Sequence, residues 1–212
     1  MENLKRNSLI KILWIVVYLV VLIWSGVHPK DQLTWFLEVS PAMIGAILLL
    51  ATYNSFRLTP MLYFFVLLHC IVLMVGGHYT YAEVPLFDWI KDALDMERNN
   101  YDKLGHFMQG FVPALLAREI LIRKSVVNGV AWLNLFVLSV SLAFSAFYEL
   151  IEWWVALASG GDAEAFLGAQ GYVWDTQSDM MLALIGAIAC LLLLSKRHNY
   201  QIQDITLIHY KV

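Results

Sequence analysis

The sequence predicts an all-α, polytopic membrane protein: six transmembrane helices, with one short amphipathic helix at the interface between spans 3 and 4. Three observations carry that expectation. Of the 212 residues, 60% are hydrophobic and 15% charged, against about 45–50% and about 25% in an average soluble domain. Apolar runs recur at lengths near the ~20 residues that a helix needs to cross a bilayer. Lysine and arginine alternate between rich and poor connections, as they do when one side of a membrane is cytoplasmic. The formal net charge of -3 and the lack of a basic patch argue against a nucleic-acid partner.

The first span is placed at about 9–27. Its basic leader (Lys5, Arg6, Lys11) resembles that of a signal peptide. The apolar run exceeds the ~7–15 residues of a secretory core, however, and no small-residue cleavage site follows, so an uncleaved helix is expected. The second span, 35–53, contains Glu38 and Pro41; the third, 60–77, opens on Pro60, a residue suited to a first helical turn. In the long polar connection 78–101, Leu86, Ile90, Ala93 and Leu94 recur at helical spacing while Asp88, Asp92 and Asp95 take another face. Pro85 starts that helix.

Spans 4, 5 and 6 are expected at about 104–122, 131–158 and 179–195. The Gly-rich stretch 159–174 joins the last two, and the tail from Lys196 reads as peripheral. Residues 1–212 read as one integral membrane domain, with no internal repeat. Cys70 and Cys190 lie in apolar runs and read as buried reduced thiols.

Six spans put ten of the 14 Lys and Arg residues on the side of the termini and four (Lys30, Lys91, Arg98, Lys103) on the other. Both termini are therefore expected in the cytoplasm.

That orientation gathers ionisable residues at the outer interface. Asp102 and His106 are four apart, Glu149 and Glu152 three apart, and Asp175 and Asp179 four apart, so each pair shares a helix face. Gln109 continues the Asp102–His106 face, Lys103 stands among the acids, and His78 ends the third span nearby. Ionisable groups within spans are functional candidates by default. The bland alternative is that Asp102, Lys103 and Asp175 are polar helix ends at the headgroup level. His69, deep in span 3, reads as a hydrogen-bonded core histidine, and Trp14, Trp24, Trp89, Trp153, Trp154 and Trp174 as an interfacial belt.

Asp102, His106, Glu149, Glu152 and Asp179 are the candidate catalytic residues, with Lys103, Gln109, Asp175 and His78 in support. His106, Glu149, Glu152 and Asp179 are the donors on offer to a divalent metal ion.

The stretches Tyr101-Asp102-Lys103-Leu104-Gly105-His106-Phe107, Phe147-Tyr148-Glu149-Leu150-Ile151-Glu152-Trp153-Trp154 and Trp174-Asp175-Thr176-Gln177-Ser178-Asp179-Met180 together resemble the YjdF-like family of bacterial inner-membrane proteins. The motif His78-Tyr79-Thr80-Tyr81 fits as well. That resemblance implies an inner-membrane location and the topology, but no particular reaction. A looser likeness is to VanZ-like membrane proteins, whose Asp-Lys-x-x-His-Phe start is matched by Asp102, Lys103, His106 and Phe107. Glu149 or Glu152, and Asp179, match its later acids. The chain departs from that pattern at Gln170, Thr176 and Gln177, where a basic residue is expected, and at Glu152 and Trp153, where a Gln is expected.

Three functions compete. The first is a membrane-embedded enzyme acting from the outer face on a lipid or envelope intermediate, through His and carboxylates with or without a metal; no Ser or Cys nucleophile stands beside His106. The second is a transporter or binding protein for a small solute or cation, although such sites usually lie at the midplane between repeats. The third is a non-catalytic membrane component whose polar cluster only pins helices together.

Overall fold

The computed structural model describes residues 2–159 and 170–209. Within them the chain forms seven helices and no strand: α1 (Glu2–Gly26), α2 (Gln32–Thr52), α3 (Pro60–His78), α4 (Pro85–Ala93), α5 (Tyr101–Arg123), α6 (Val130–Ser159) and α7 (Asp175–His209). Among these, α1, α2, α3, α6 and α7 are long and apolar enough to cross a membrane. Helix α5 is of the same length class but carries Asp102 and Lys103 in its first turn and Arg118, Glu119 and Arg123 near its end.

Burial explains how a helix so charged sits among such apolar ones. It packs against α3, α6 and α7, and Ile120 is its one exposed residue. A helix lined by protein needs no apolar coat, whereas α1, α2 and α6 expose rows of large aliphatic and aromatic side chains (Ile47 64%, Leu50 73%, Trp132 59%).

Local chemistry sets the helix ends. Asp31 caps α2 by accepting the Thr34 N–H at 2.6 Å, and that bond holds its carboxyl below the usual carboxylate range. Thr59 caps α3, and Pro60 follows in the first turn. Helix α4 begins at Pro85 as the sequence reading expects.

Two expectations change. The tail does not peel away after Lys196: α7 continues to His209, and His198 within it is fully buried. The basic leader also belongs to α1 rather than preceding it. Of the Gly-rich stretch, residues 160–169 lie outside the described residues.

The closest helix pair is α5 with α7. They run parallel, in a register that sets Lys103 beside Asp179, Gly110 beside Ala183 and Arg118 beside His198. A Cβ on Gly110 would lie 1.7 Å from the Ala183 carbonyl oxygen, and one on Gly186 would lie 2.1 Å from that of Phe107. Only glycine permits this approach, a small-residue contact of the kind that joins helices within membranes.

Candidate functional site

The close α5–α7 contact and the end of α6 bring the sequence-predicted acids together at one end of the bundle. At its edge stand the two cations. Lys103 Nζ donates to Asp179 at 2.7 Å, to the Ser178 hydroxyl at 2.8 Å and to Asp175 at 2.9 Å, and lies 3.6 Å from Asp102. Arg98 pairs with Asp175 at 2.8 Å and with Asp102. Both cations sit against the Tyr172 ring, at 5.5 Å (Lys103) and 5.6 Å (Arg98) from its centroid. Gln170 clasps the Asn99 backbone, accepting its N–H at 3.2 Å and donating to its carbonyl at 2.8 Å. The described end of the 159–174 stretch thus folds over the cations.

Inward of this edge, the His106 ring stands between two carboxylates. Its Nδ1 is 3.8 Å from Glu149 and its Nε2 is 3.7 Å from Asp179. Both His106 Nδ1 and Glu149 Oε1 are buried and make no hydrogen bond among the described residues. One donor atom from each of His106, Glu149 and Asp179 can be chosen so that all lie within 4.8 Å of one another, and the same is true of Asp102, Asp175 and Asp179. The second trio is already occupied by Arg98 and Lys103. Among the described residues, the first meets a lysine or arginine only through Lys103 on the far oxygen of Asp179.

A cavity of about 290 Å³ opens beside His106. Asp102 and Gln109 line it from α5, Tyr148 and Glu152 from α6, and Glu38 from α2. Glu152 therefore faces the cavity rather than joining the trio, although it lies only three residues from Glu149. Glu38, 5% exposed, accepts a 2.9 Å hydrogen bond from the Tyr148 hydroxyl.

His78 goes elsewhere. Its Nδ1 is 2.9 Å from the Ser25 carbonyl oxygen and its ring packs on Trp24 and Tyr79, so it braces α1 against α3 rather than supporting the acids. His69, expected as a core residue, lines the cavity, and its Nε2 has no hydrogen bond among the described residues.

Three participants escaped the sequence reading. Arg98 stands four residues before Asp102, a spacing that hints at pairing, but it precedes the helix. The Tyr148–Glu38 bond joins α6 to α2: the sequence places Glu38 at the same outer depth as the other acids, but nothing in it pairs that residue with Tyr148. The third is a polar network at the opposite end, of which the sequence shows one part, Glu119 four residues before Arg123. There Glu119, fully buried, accepts from the Thr59 N–H and hydroxyl, from Arg123 at 2.7 Å and from His198 at 3.0 Å. Arg118 Nη1 lies 3.2 Å from His198 Nδ1. Arginine can only donate, so Nδ1 accepts and the ring proton sits on Nε2, facing Glu119.

The family model described as "Predicted membrane protein (DUF2238)" matches residues 10–200. A relative described as inner membrane protein YjdF, of Escherichia coli (strain K12), is 52% identical over 188 residues, covering 89% of this chain and 90% of the relative. No solved structure matches the chain. These matches bear on the first resemblance drawn from the sequence; the likeness to VanZ-like proteins forms no part of them.

Proposed function

The chain belongs to the family of predicted membrane proteins DUF2238, and we propose that it is a membrane-embedded enzyme acting from the outer face on a lipid or envelope intermediate. In this reading His106, Glu149 and Asp179 would hold a divalent metal ion, and Glu152, on the cavity wall, would contact the bound substrate. The observation that carries it is the pair of buried, unbonded atoms, His106 Nδ1 and Glu149 Oε1, in a trio of donors from three helices. Leaving such atoms unsatisfied costs ~1–3 kcal/mol each, more when charged. Three protein ligands with one position open toward a cavity is the arrangement of catalytic rather than structural zinc. Such a metal would activate water or polarise a phosphoryl or carbonyl oxygen.

Elemental analysis of protein purified without chelator tests this reading. About one divalent ion per chain is expected, lost in His106→Ala. Metal-free wild-type protein whose melting temperature ignores added Zn²⁺ and Mn²⁺ would refute it.

The same reading places the protein in the inner membrane with six spans and both termini cytoplasmic, α5 being the sixth. At ~1.5 Å per residue its 23 residues reach about 34 Å, enough to cross a ~30 Å core. Helix α4 then lies at the outer interface, with Leu86 and Trp89 toward lipid. Reporter fusions after residue 28 and after residue 126 should report opposite sides.

A second reading has its own support in Lys103 and its three close partners on α7: the cluster pins α5 to α7 and catalyses nothing. It requires Lys103 for stability and expects no metal.

A further inference from the structure

The cavity beside His106 has a chemistry distinct from the metal trio. Its polar wall carries Glu38, Glu152 and Asp102. Asp102 is matched by Arg98 and Lys103, but no lysine or arginine among the described residues lies within 4.0 Å of Glu38 or Glu152. Both are more than nine-tenths buried. A buried carboxylate without a cation is costly, so the cavity is short of positive charge.

Gln109, His69 and His106 add neutral polar groups, and much of the remaining wall is aromatic, with Tyr81, Tyr148, Phe144 and Phe147 in it. Pro41 and Pro113 also line it, and each leaves the carbonyl four residues earlier (Leu37, Gln109) without its helical N–H partner.

Tyr81 is held there under strain. Thr80 and Tyr81 both have φ of 56°, in the left-handed region that bulky residues avoid. The Tyr81 ring is wedged between α3 and α5 where only Gly76 and Gly105 leave room, since a Cβ would approach it to 2.3 Å and 2.9 Å respectively. Strain of this kind persists where surrounding structure enforces it, and it collects at ligand sites.

Carboxylates and aromatic faces, with no lysine or arginine beside Glu38 or Glu152 among the described residues, form a receptor for an organic ammonium. Among the described residues no donor trio of metal-ligand spacing includes Glu38 or Glu152, so a second bare metal fits less well. Phe144 and Phe147 are also 59% and 54% exposed, on a face of α6 turned away from the bundle. The cavity therefore adjoins the surface that lipid would cover.

We infer that this cavity binds the ammonium group of the substrate, between Glu38, Glu152 and the Tyr81 and Tyr148 rings, as in an aminoalkyl phospholipid headgroup. The inference rests on reading the neighbouring trio as a substrate-facing metal site, with the phosphate beside the metal and the ammonium in the cavity.

The test uses the full chain in detergent. Melting temperature is followed by tryptophan fluorescence during titration with dihexanoyl phosphatidylethanolamine, its N-acetylated form, dihexanoyl phosphatidylglycerol and free ethanolamine. Phosphatidylethanolamine should stabilise wild-type protein at about tenfold lower concentration than the two lipids lacking an ammonium, the weight of one charge-assisted contact. Glu38→Gln and Glu152→Gln should erase that preference. Protection by free ethanolamine equal to that by the lipid would assign the ammonium to a soluble amine. Equal protection by all lipids, or a preference that survives in both variants, would overturn the inference. Because the N-acetyl comparison is made on wild-type protein, it stands even if a variant misfolds. Metal content of the same samples separates the two readings: metal retained without ammonium preference sinks this inference alone, and ammonium preference in metal-free protein sinks the metal alone.

Discussion

Gly110→Ala places a methyl group 1.7 Å from the Ala183 carbonyl oxygen, where ordinary contact begins at 3.4 Å. The obstacle is backbone, so no rotamer change relieves it, and α5 and α7 must part by about 1.7 Å at this level. His106 lies one turn before Gly110 and Asp179 one turn before Ala183, so much of that gap reaches the site. The His106 Nε2–Asp179 separation of 3.7 Å would move toward 5 Å. Two ligands each ~2.1 Å from one ion can be at most ~4.2 Å apart, so metal should be lost along with about 3 kcal/mol of stability. Gly45→Ala supplies the control: nothing lies within 4 Å of its Cβ position on α2, and Gly→Ala in an open helix site stabilises by ~0.4–1 kcal/mol. Both variants are read by thermal unfolding in detergent and by elemental analysis. A Gly110→Ala protein with wild-type melting temperature and metal content would refute the close α5–α7 contact.

Other substitutions probe the two polar ends. Lys103→Met leaves Asp175 and Asp179 with one cation fewer between them, and should cost about 3–5 kcal/mol, the range for a broken buried pair; chemical denaturation measures it. His198→Ala removes one of Glu119's partners and one of Arg118's two acceptors, leaving it Asn199, for about 2–3 kcal/mol, with His198→Gln recovering part of that in the same assay. Asp31→Ala removes the α2 cap for about 1 kcal/mol at neutral pH. The folded-state pKa of Asp31 is depressed, so its contribution is full above the unfolded value of ~3.9 and is lost as pH falls through the folded one. Unfolding curves of wild type and variant should therefore converge in acid.

The sequence made the helices and the convergence of the acids legible through different physics. Composition and run length report on apolar surface, so all six long helices stood out, α5 (as 104–122) among them, and the charges at its two ends are what set it apart from the other five. Charge spacing paired Asp102 with His106 and Asp175 with Asp179, because i, i+4 neighbours share a face whatever surrounds them. It did not separate Glu149 from Glu152: three residues apart, they lie about 60° apart around the helix, enough to send one to His106 and the other to the cavity. His78 was assigned by depth alone, and depth says nothing about azimuth, so the sequence did not reveal that it turns to Ser25. The buried His198 was hidden because a polar tail and a polar seam between helices look alike in one dimension.

The glycine contact between α5 and α7 also constrains motion. Two stiff rods in close contact at one level can rock about that level but cannot readily slide. His106 stands about 6 Å from Gly110 along α5, and Glu119 about 14 Å from it on the other side. Rocking that opened the His106–Asp179 gap by 1 Å would thus swing the far ends together by roughly 2 Å. The Glu119–His198 bond is already at 3.0 Å and leaves no room for that swing. A hydrogen bond at one end of the pair thereby fixes the spacing of the ionisable groups at the other, and a histidine remote from the cavity becomes one of the residues that set its shape.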